Sequence, residues 1–193
     1  MYKTKKQISL VGCLALLILS VTPVFASVLS DNVVRFSDGV AIETAVGSSL
    51  TVNLIGENFT QAPDAAGFSL AWNPAVLEYF GTSIANPPWD TSTLGEFSVE
   101  SGLLDFVFLG KSVGNAGSNF DIATFTFTVL GNIGDSSFLT ISDAFGGFVR
   151  PGGLPISANY ISSQVQVVPI PAAVWLFGTG FLGLLGLKKR SQA

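Results

Sequence analysis

The chain has no histidine and a single cysteine, Cys13, which lies inside an N-terminal apolar run. If that run is removed on export, the mature protein has neither residue type. A disulfide framework, a cysteine nucleophile, a zinc finger and a Ser-His-Asp triad are then all excluded. Charge is scarce as well, at 11% of residues, and positive charge is scarcest: of nine cationic residues, Lys3, Lys5, Lys6, Lys188, Lys189 and Arg190 sit at the two ends. The body keeps Arg35, Lys111 and Arg150 against thirteen carboxylates, a net charge of −10. Such a body repels the phosphates of nucleic acid, so no nucleic-acid partner is expected. Apolar residues are plentiful, at 48%, which excludes a disordered chain on composition.

Part of that apolar content belongs to the ends. Lys3, Lys5 and Lys6 precede the run Ile8 to Leu19, and Pro23-Val24-Phe25-Ala26 then offers small residues for cleavage. This is the order of a secretory signal, with signal peptidase expected to cut between Ala26 and Ser27. Leu10-Val11-Gly12-Cys13 has the residue types of a lipoprotein box, but most of the apolar run follows Cys13, which makes lipid attachment the minor reading. At the far end, Val165 to Leu187 is largely apolar and closes on Lys188-Lys189-Arg190. Residues 172 to 187 as a helix would measure roughly 24 Å, just short of a hydrocarbon core of about 30 Å. Basic flanks at both ends predict that the ends stay cytoplasmic while the body is exported. The expected division is a signal peptide at 1–26, one extracellular domain at 27–167 and a membrane-inserting tail at 168–193.

The body alternates. In Leu50-Thr51-Val52-Asn53-Leu54, Phe68-Ser69-Leu70-Ala71-Trp72 and Ala123-Thr124-Phe125-Thr126-Phe127-Thr128-Val129, apolar residues recur every second position, as on half-buried strands. Further strands are predicted at 33–37, 77–83, 96–100, 103–109, 138–142 and 160–167, about nine in all. Asn73-Pro74, Ser101-Gly102, Gly131-Asn132 and Pro151-Gly152-Gly153 mark turns between them. Many short strands without an amphipathic helix predict an all-β sandwich of two packed antiparallel sheets. Sixteen phenylalanines supply a core that needs no cross-link.

The tail Val168-Pro169-Ile170-Pro171-Ala172, followed by a Gly-rich apolar stretch and the basic cluster Lys188-Lys189-Arg190, resembles the PEP-CTERM sorting signals of Gram-negative bacteria. It is closest to the variant that begins Val-Pro-Leu-Pro-Ala, with Ile170 where the name-giving motif has glutamate. The resemblance implies processing by an exosortase, a membrane-embedded cysteine transpeptidase. It also implies a transient stay in the inner membrane, then release to the cell surface or the extracellular matrix. Independently of any family, Pro169 and Pro171 block helix and leave an extended backbone that an enzyme can grip. The body resembles cohesins and related carbohydrate-module sandwiches at Val46 to Val52, at Gly67 to Glu78 and at Ile122 to Phe127. That resemblance implies a cohesin-like jelly-roll β-sandwich. Cohesins dock dockerin modules in polysaccharide-degrading complexes.

Without histidine, catalysis would need paired carboxylates, and no pair stands out, so the chain is not expected to be an enzyme. Hard oxygen donors suit calcium, and Asn115, Asn119 and Asp121 in the loop 115–121, with Asp31-Asn32, are the weak candidates. Ordinary turn chemistry accounts for the same residues. Trp89, after Pro87-Pro88, is either a platform on which a pyranose ring could stack or a buried ring anchoring its own loop, whereas Trp72 reads as core. The leading functional expectation is a non-enzymatic surface or matrix component making adhesive or structural contacts. An exopolysaccharide-binding module and a cohesin-like protein-docking domain are the alternatives.

Overall fold

In the computed structural model, residues 31–170 are described. The signal segment with its Ala26–Ser27 boundary, and the tail from Pro171 through Ala172 to Lys188, Lys189 and Arg190, lie outside them. Twelve strands occur among the described residues: β1 Val33–Phe36, β2 Ala41–Ala45, β3 Ser49–Glu57, β4 Ala65–Ala71, β5 Leu77–Ile84, β6 Thr91–Gly95, β7 Leu103–Gly110, β8 Phe120–Val129, β9 Ser136–Arg150, β10 Leu154–Ile156, β11 Asn159–Ile161 and β12 Ser163–Val168. One 3-10 turn, Val99–Ser101, is the only helical element there. None of these elements is a helix long and apolar enough to cross a membrane.

Five strands form one sheet in the order β11-β1-β3-β8-β5, and the second runs β2-β12-β9-β4-β7-β6 with β10 paired to β9. The alternation read in the sequence decides which face is inward. Leu50, Val52 and Leu54 of β3 and Phe125, Phe127 and Val129 of β8 are buried, while Thr51 and Asn53 are exposed. From the opposite sheet, β4 sends in Phe68 and Leu70, with Trp72 directly after it. The sheets meet through rings: Phe68 stands edge-on to Phe125 with centroids 6.4 Å apart, and Trp72 to Phe127 at 5.4 Å. Such pairs add about 0.5–1.5 kcal/mol each beyond the area they bury.

The structure departs from the sequence reading in five places. The strand predicted at 96–100 is instead the edge strand β6, five residues earlier. Thr91-Ser92-Thr93 lacks an apolar alternation because an edge strand needs only its backbone ladder to β7. Strand β2 was missed, and the single strand predicted at 160–167 is two, broken at Ser162. Residues 159–161 pair in the first sheet and 163–168 in the second, so the chain changes sheet there. The sheets are not purely antiparallel, because β11 joins β1 and β12 joins β2 in parallel register. Finally, β9 runs well past the predicted 138–142, through a bulge at 144–147 between its pairings with Phe68 and Ala66.

Candidate docking surface

The outer face of the β9-β4-β7-β6 sheet holds an aromatic surface that the core does not use. Strand β7 has buried Leu104, Val107 and Leu109 on one side and half-buried Phe106 and exposed Phe108 on the other. Phe106 lies opposite Gly95 of the edge strand, and its ring occupies the space a side chain there would need. Phe108 stands between Thr93 of β6 and Gly67 of β4. The outward residues of β4 are small (Ala65, Gly67, Ser69, Ala71), and the bulge of β9 folds down over them.

That bulge is what presents Phe145. Phe145, Gly146 and Gly147 have φ of +52°, +86° and +69°, three consecutive left-handed residues that push the strand outward. For a phenylalanine this conformation is strained, at of order 1–3 kcal/mol, and it places the ring on the sheet surface. The fit beneath is close: a Cβ on Gly67 would collide with the Ala144 carbonyl oxygen. Phe145 meets Phe106 edge-on at 5.2 Å, and Phe97 lies 6.5 Å from Phe106 on the other side. Phe97 and Phe145 are 86% and 74% exposed, so most of their ring area faces water. Thr93, Phe106, Phe108 and Phe145 line an open hollow of about 210 Å³. Contiguous exposed rings on a domain with few charges mark an interaction surface.

Carboxylates lie on the strands and loops that carry these rings. Glu96 accepts a 3.0 Å hydrogen bond from the Tyr79 hydroxyl. Burial, reinforced by that bond, pushes the Tyr79 phenol up to about 12, although a bond with Thr82 works the other way. Asp143, at the foot of the bulge, accepts from the Tyr160 hydroxyl, whose pKa is raised chiefly by burial and further by this bond. One oxygen of Asp105 is buried without a hydrogen-bond partner. Along β4, β6, β7 and β9 the only cation is Arg150, at the far end of β9. The rings therefore have no cation beside them, and the carboxylates of Glu96 and Asp143 are engaged by tyrosines of the opposite sheet, which leaves the outer surface suited above all to apolar groups.

The residues singled out from sequence fall elsewhere. Trp89 is 1% exposed; its indole N–H donates to the Asp121 carbonyl at 3.0 Å and its ring stands edge-on to Phe120 at 5.6 Å. The pyranose platform is thereby corrected: no face of this ring is open, and Trp89 anchors its own loop. Trp72 is core, as expected. The Asn119 side-chain oxygen accepts the Asn58 N–H at 3.0 Å and that of Asn115 accepts the Gly117 N–H at 3.2 Å, while Asp121 contributes its carbonyl to Trp89. Asn119 and Asp121 line one open hollow with Glu57, and among the described residues no three acidic, histidine or cysteine side chains are gathered. Val168 closes β12, and Pro169 and Ile170 follow, both exposed. The aromatic surface itself was missed because phenylalanine was read as core. The available signal was Leu103-Leu104-Asp105-Phe106-Val107-Phe108-Leu109, which is apolar on both faces, as strands covered on both sides are.

No family model matches the chain, and no curated protein sequence matches it. Solved structures do. The sixth cohesin of Acetivibrio cellulolyticus scaffoldin B, solved in complex with a Cel5 dockerin, matches with a TM-score of 0.59 at 17% identity, over 72% of this chain and 99% of that one. The OlpC cohesin of Clostridium thermocellum, from a type I cohesin–dockerin complex, matches with a TM-score of 0.59 at 15% identity, over 72% and 95%. A non-cellulosomal cohesin of the hyperthermophilic archaeon Archaeoglobus fulgidus matches with a TM-score of 0.54 at 20% identity, over 75% and 96%. The fold of residues 31–170 is a cohesin-like β-sandwich.

Proposed function

We propose that this chain is an exported, non-enzymatic docking module that binds a protein partner through the outer aromatic face of its β9-β4-β7-β6 sheet. The observation that carries this reading is Phe145, held on that face by a strained bulge that the core does not need. Two of the similar cohesins were solved bound to dockerins, which supports a protein rather than a sugar as partner. The docking reading therefore takes precedence over a purely structural matrix role. The exopolysaccharide reading lost its platform when Trp89 proved buried.

Export and sorting belong to the same proposal. The basic-apolar start, the boundary at Ala26 and Ser27, the motif Val168-Pro169-Ile170-Pro171-Ala172 and the basic cluster Lys188-Lys189-Arg190 support release by signal peptidase, transient membrane insertion and processing by an exosortase at the surface of a Gram-negative cell. Intact mass of the extracellular form reads both ends at once. A species beginning at Ser27 and lacking the basic cluster is expected, and an uncut chain would refute the sorting part.

For docking, the secreted protein is immobilised and challenged with the secreted fraction of the same cells. The pair Phe108→Ser/Phe145→Ser is expected to weaken retention of the captured partner by about 30-fold or more, the scale of an aromatic hot spot. Unchanged retention by a folded double variant would remove the assigned face.

A further inference from the structure

Where β12 leaves the sandwich, two tight turns present aliphatic side chains to water. Ala45–Ser48 closes through the Ser48 N–H to the Ala45 carbonyl at 3.2 Å, and Asn132–Asp135 through the Asp135 N–H to the Asn132 carbonyl at 3.0 Å. In each, the third residue is a glycine with positive φ, Gly47 at +73° and Gly134 at +98°, the geometry of a type II turn. In each the second residue, at the tip, is aliphatic: Val46 and Ile133, 45% and 61% exposed. Turn tips favour polar residues or proline, so two aliphatic tips at one end call for a reason.

Both turns are tied to the exit of the chain. Gly134 N–H donates to the Val167 carbonyl at 2.9 Å, and Ala45 pairs with Val168, the last residue of β12. Gly47 N–H donates to the Val129 carbonyl at 2.9 Å, which brings exposed Leu130 into the same group. Val46, Leu130 and Ile133 thus form a collar at the end of the sandwich from which β12 exits, and Glu78 and Glu100, which line a hollow beside Leu130, mark its limit on the β5 side. Beyond Ile170 the sequence turns apolar, from Ala172 to Leu187. Only Pro169, Ile170 and Pro171 separate Val168 from Ala172, so the four Cα–Cα steps between them reach at most roughly 14 Å.

We infer that this collar is a membrane seat: before the tail is cut, Val46, Leu130 and Ile133 rest in the interface of the bilayer that holds residues 172–187. Apolar side chains enter an interface about 5–10 Å deep, which turn tips on so short a tether can reach. The occupant is lipid and not a second copy, because two bodies of charge −10 repel and the chain itself delivers this end to a bilayer. Contact with lipid orients the domain with the Pro169–Pro171 motif at the membrane surface, and cleavage frees it. This inference rests on the reading of the tail as membrane-inserting.

The test uses the full chain with Cys13→Ser, reconstituted in phosphatidylcholine vesicles, with single cysteines carrying an environment-sensitive fluorophore at Ile133, Val46, Leu182 or Val113. Val113 is exposed in the loop after Gly110, which pairs with Ala65 at the end of β4 opposite to the collar, and it serves as the control. Doxyl-labelled lipid is expected to quench the Ile133, Val46 and Leu182 probes, with blue-shifted emission at the first two, and to leave Val113 untouched. Quenching at Leu182 with none at Ile133 or Val46 overturns the seat and leaves the tail reading standing. No quenching at Leu182 overturns both. A blue shift at Ile133 without lipid quenching assigns the collar to a protein contact and also overturns the seat.

Discussion

Two groups of aromatic rings divide this small domain. Phe68, Trp72, Phe125 and Phe127 meet between the sheets and are shut away from water, whereas Phe97, Phe106, Phe108 and Phe145 meet on the outside of one sheet and are partly or largely wet. Ring-to-ring distances overlap in the two groups, 5.4–6.4 Å inside and 5.2–6.5 Å outside. The difference is burial, so the inner group stabilises the fold and the outer group leaves its transfer free energy available to a partner. Substitutions should separate the two.

The largest effect is expected at Phe127, which packs on Trp72 and Tyr79 at 5.4 and 6.1 Å. Phe127→Ala should lower unfolding free energy by about 3–5 kcal/mol in a denaturant titration, because it leaves a cavity between the sheets. Next comes Gly67→Ala, whose methyl group would press on the Ala144 carbonyl. It should cost about 1–3 kcal/mol and weaken partner binding at the same time, since the bulge carrying Phe145 must move. Trp89→Phe keeps an aromatic ring but loses the indole N–H that donates to the Asp121 carbonyl, a loss of about 1–2 kcal/mol with binding unchanged. Phe145→Ala should change stability by no more than about 0.5 kcal/mol while reducing affinity, the reverse of the Phe127 result.

The smallest effect is a pH dependence near the sheet edge. The Ser112 N–H and hydroxyl both donate to the Asp90 carboxylate and hold its pKa below the ordinary carboxylate range. The unfolded chain then binds this proton more readily than the folded one, so the stabilisation is complete above the unfolded pKa and fades as pH falls through the folded value. Subtracting the melting temperature of Asp90→Asn from that of the unsubstituted protein should give a difference that is flat at neutral pH and shrinks in acid. A difference that grew in acid would reverse the assignment.

Much of the inner group was legible in the sequence. Leu50 to Leu54, Phe68 to Trp72 and Ala123 to Val129 alternate cleanly because one face of each strand is dry and the other wet, and burial follows that pattern residue by residue. The outer group was not. Alternation separates the two faces of a strand, and Phe106 and Phe108 sit on the face that such a pattern assigns to polar residues. Phe145 depends on three left-handed residues that no periodicity announces. Sheet exchange at Ser162 and the parallel pairings of β11 and β12 were hidden for another reason, since they are set by long-range closure of the sandwich and leave no mark on local composition. Trp89 was ambiguous until Phe120 and the Asp121 carbonyl were found around it.

Amide exchange of the domain with and without its captured partner tests the division directly. Slowed exchange at β6, at β7 and across 144–147, with β3 and β8 unchanged, is the expected footprint. Protection confined to the β5 or β11 side of the opposite sheet would contradict the account and move the docking face off the aromatic surface.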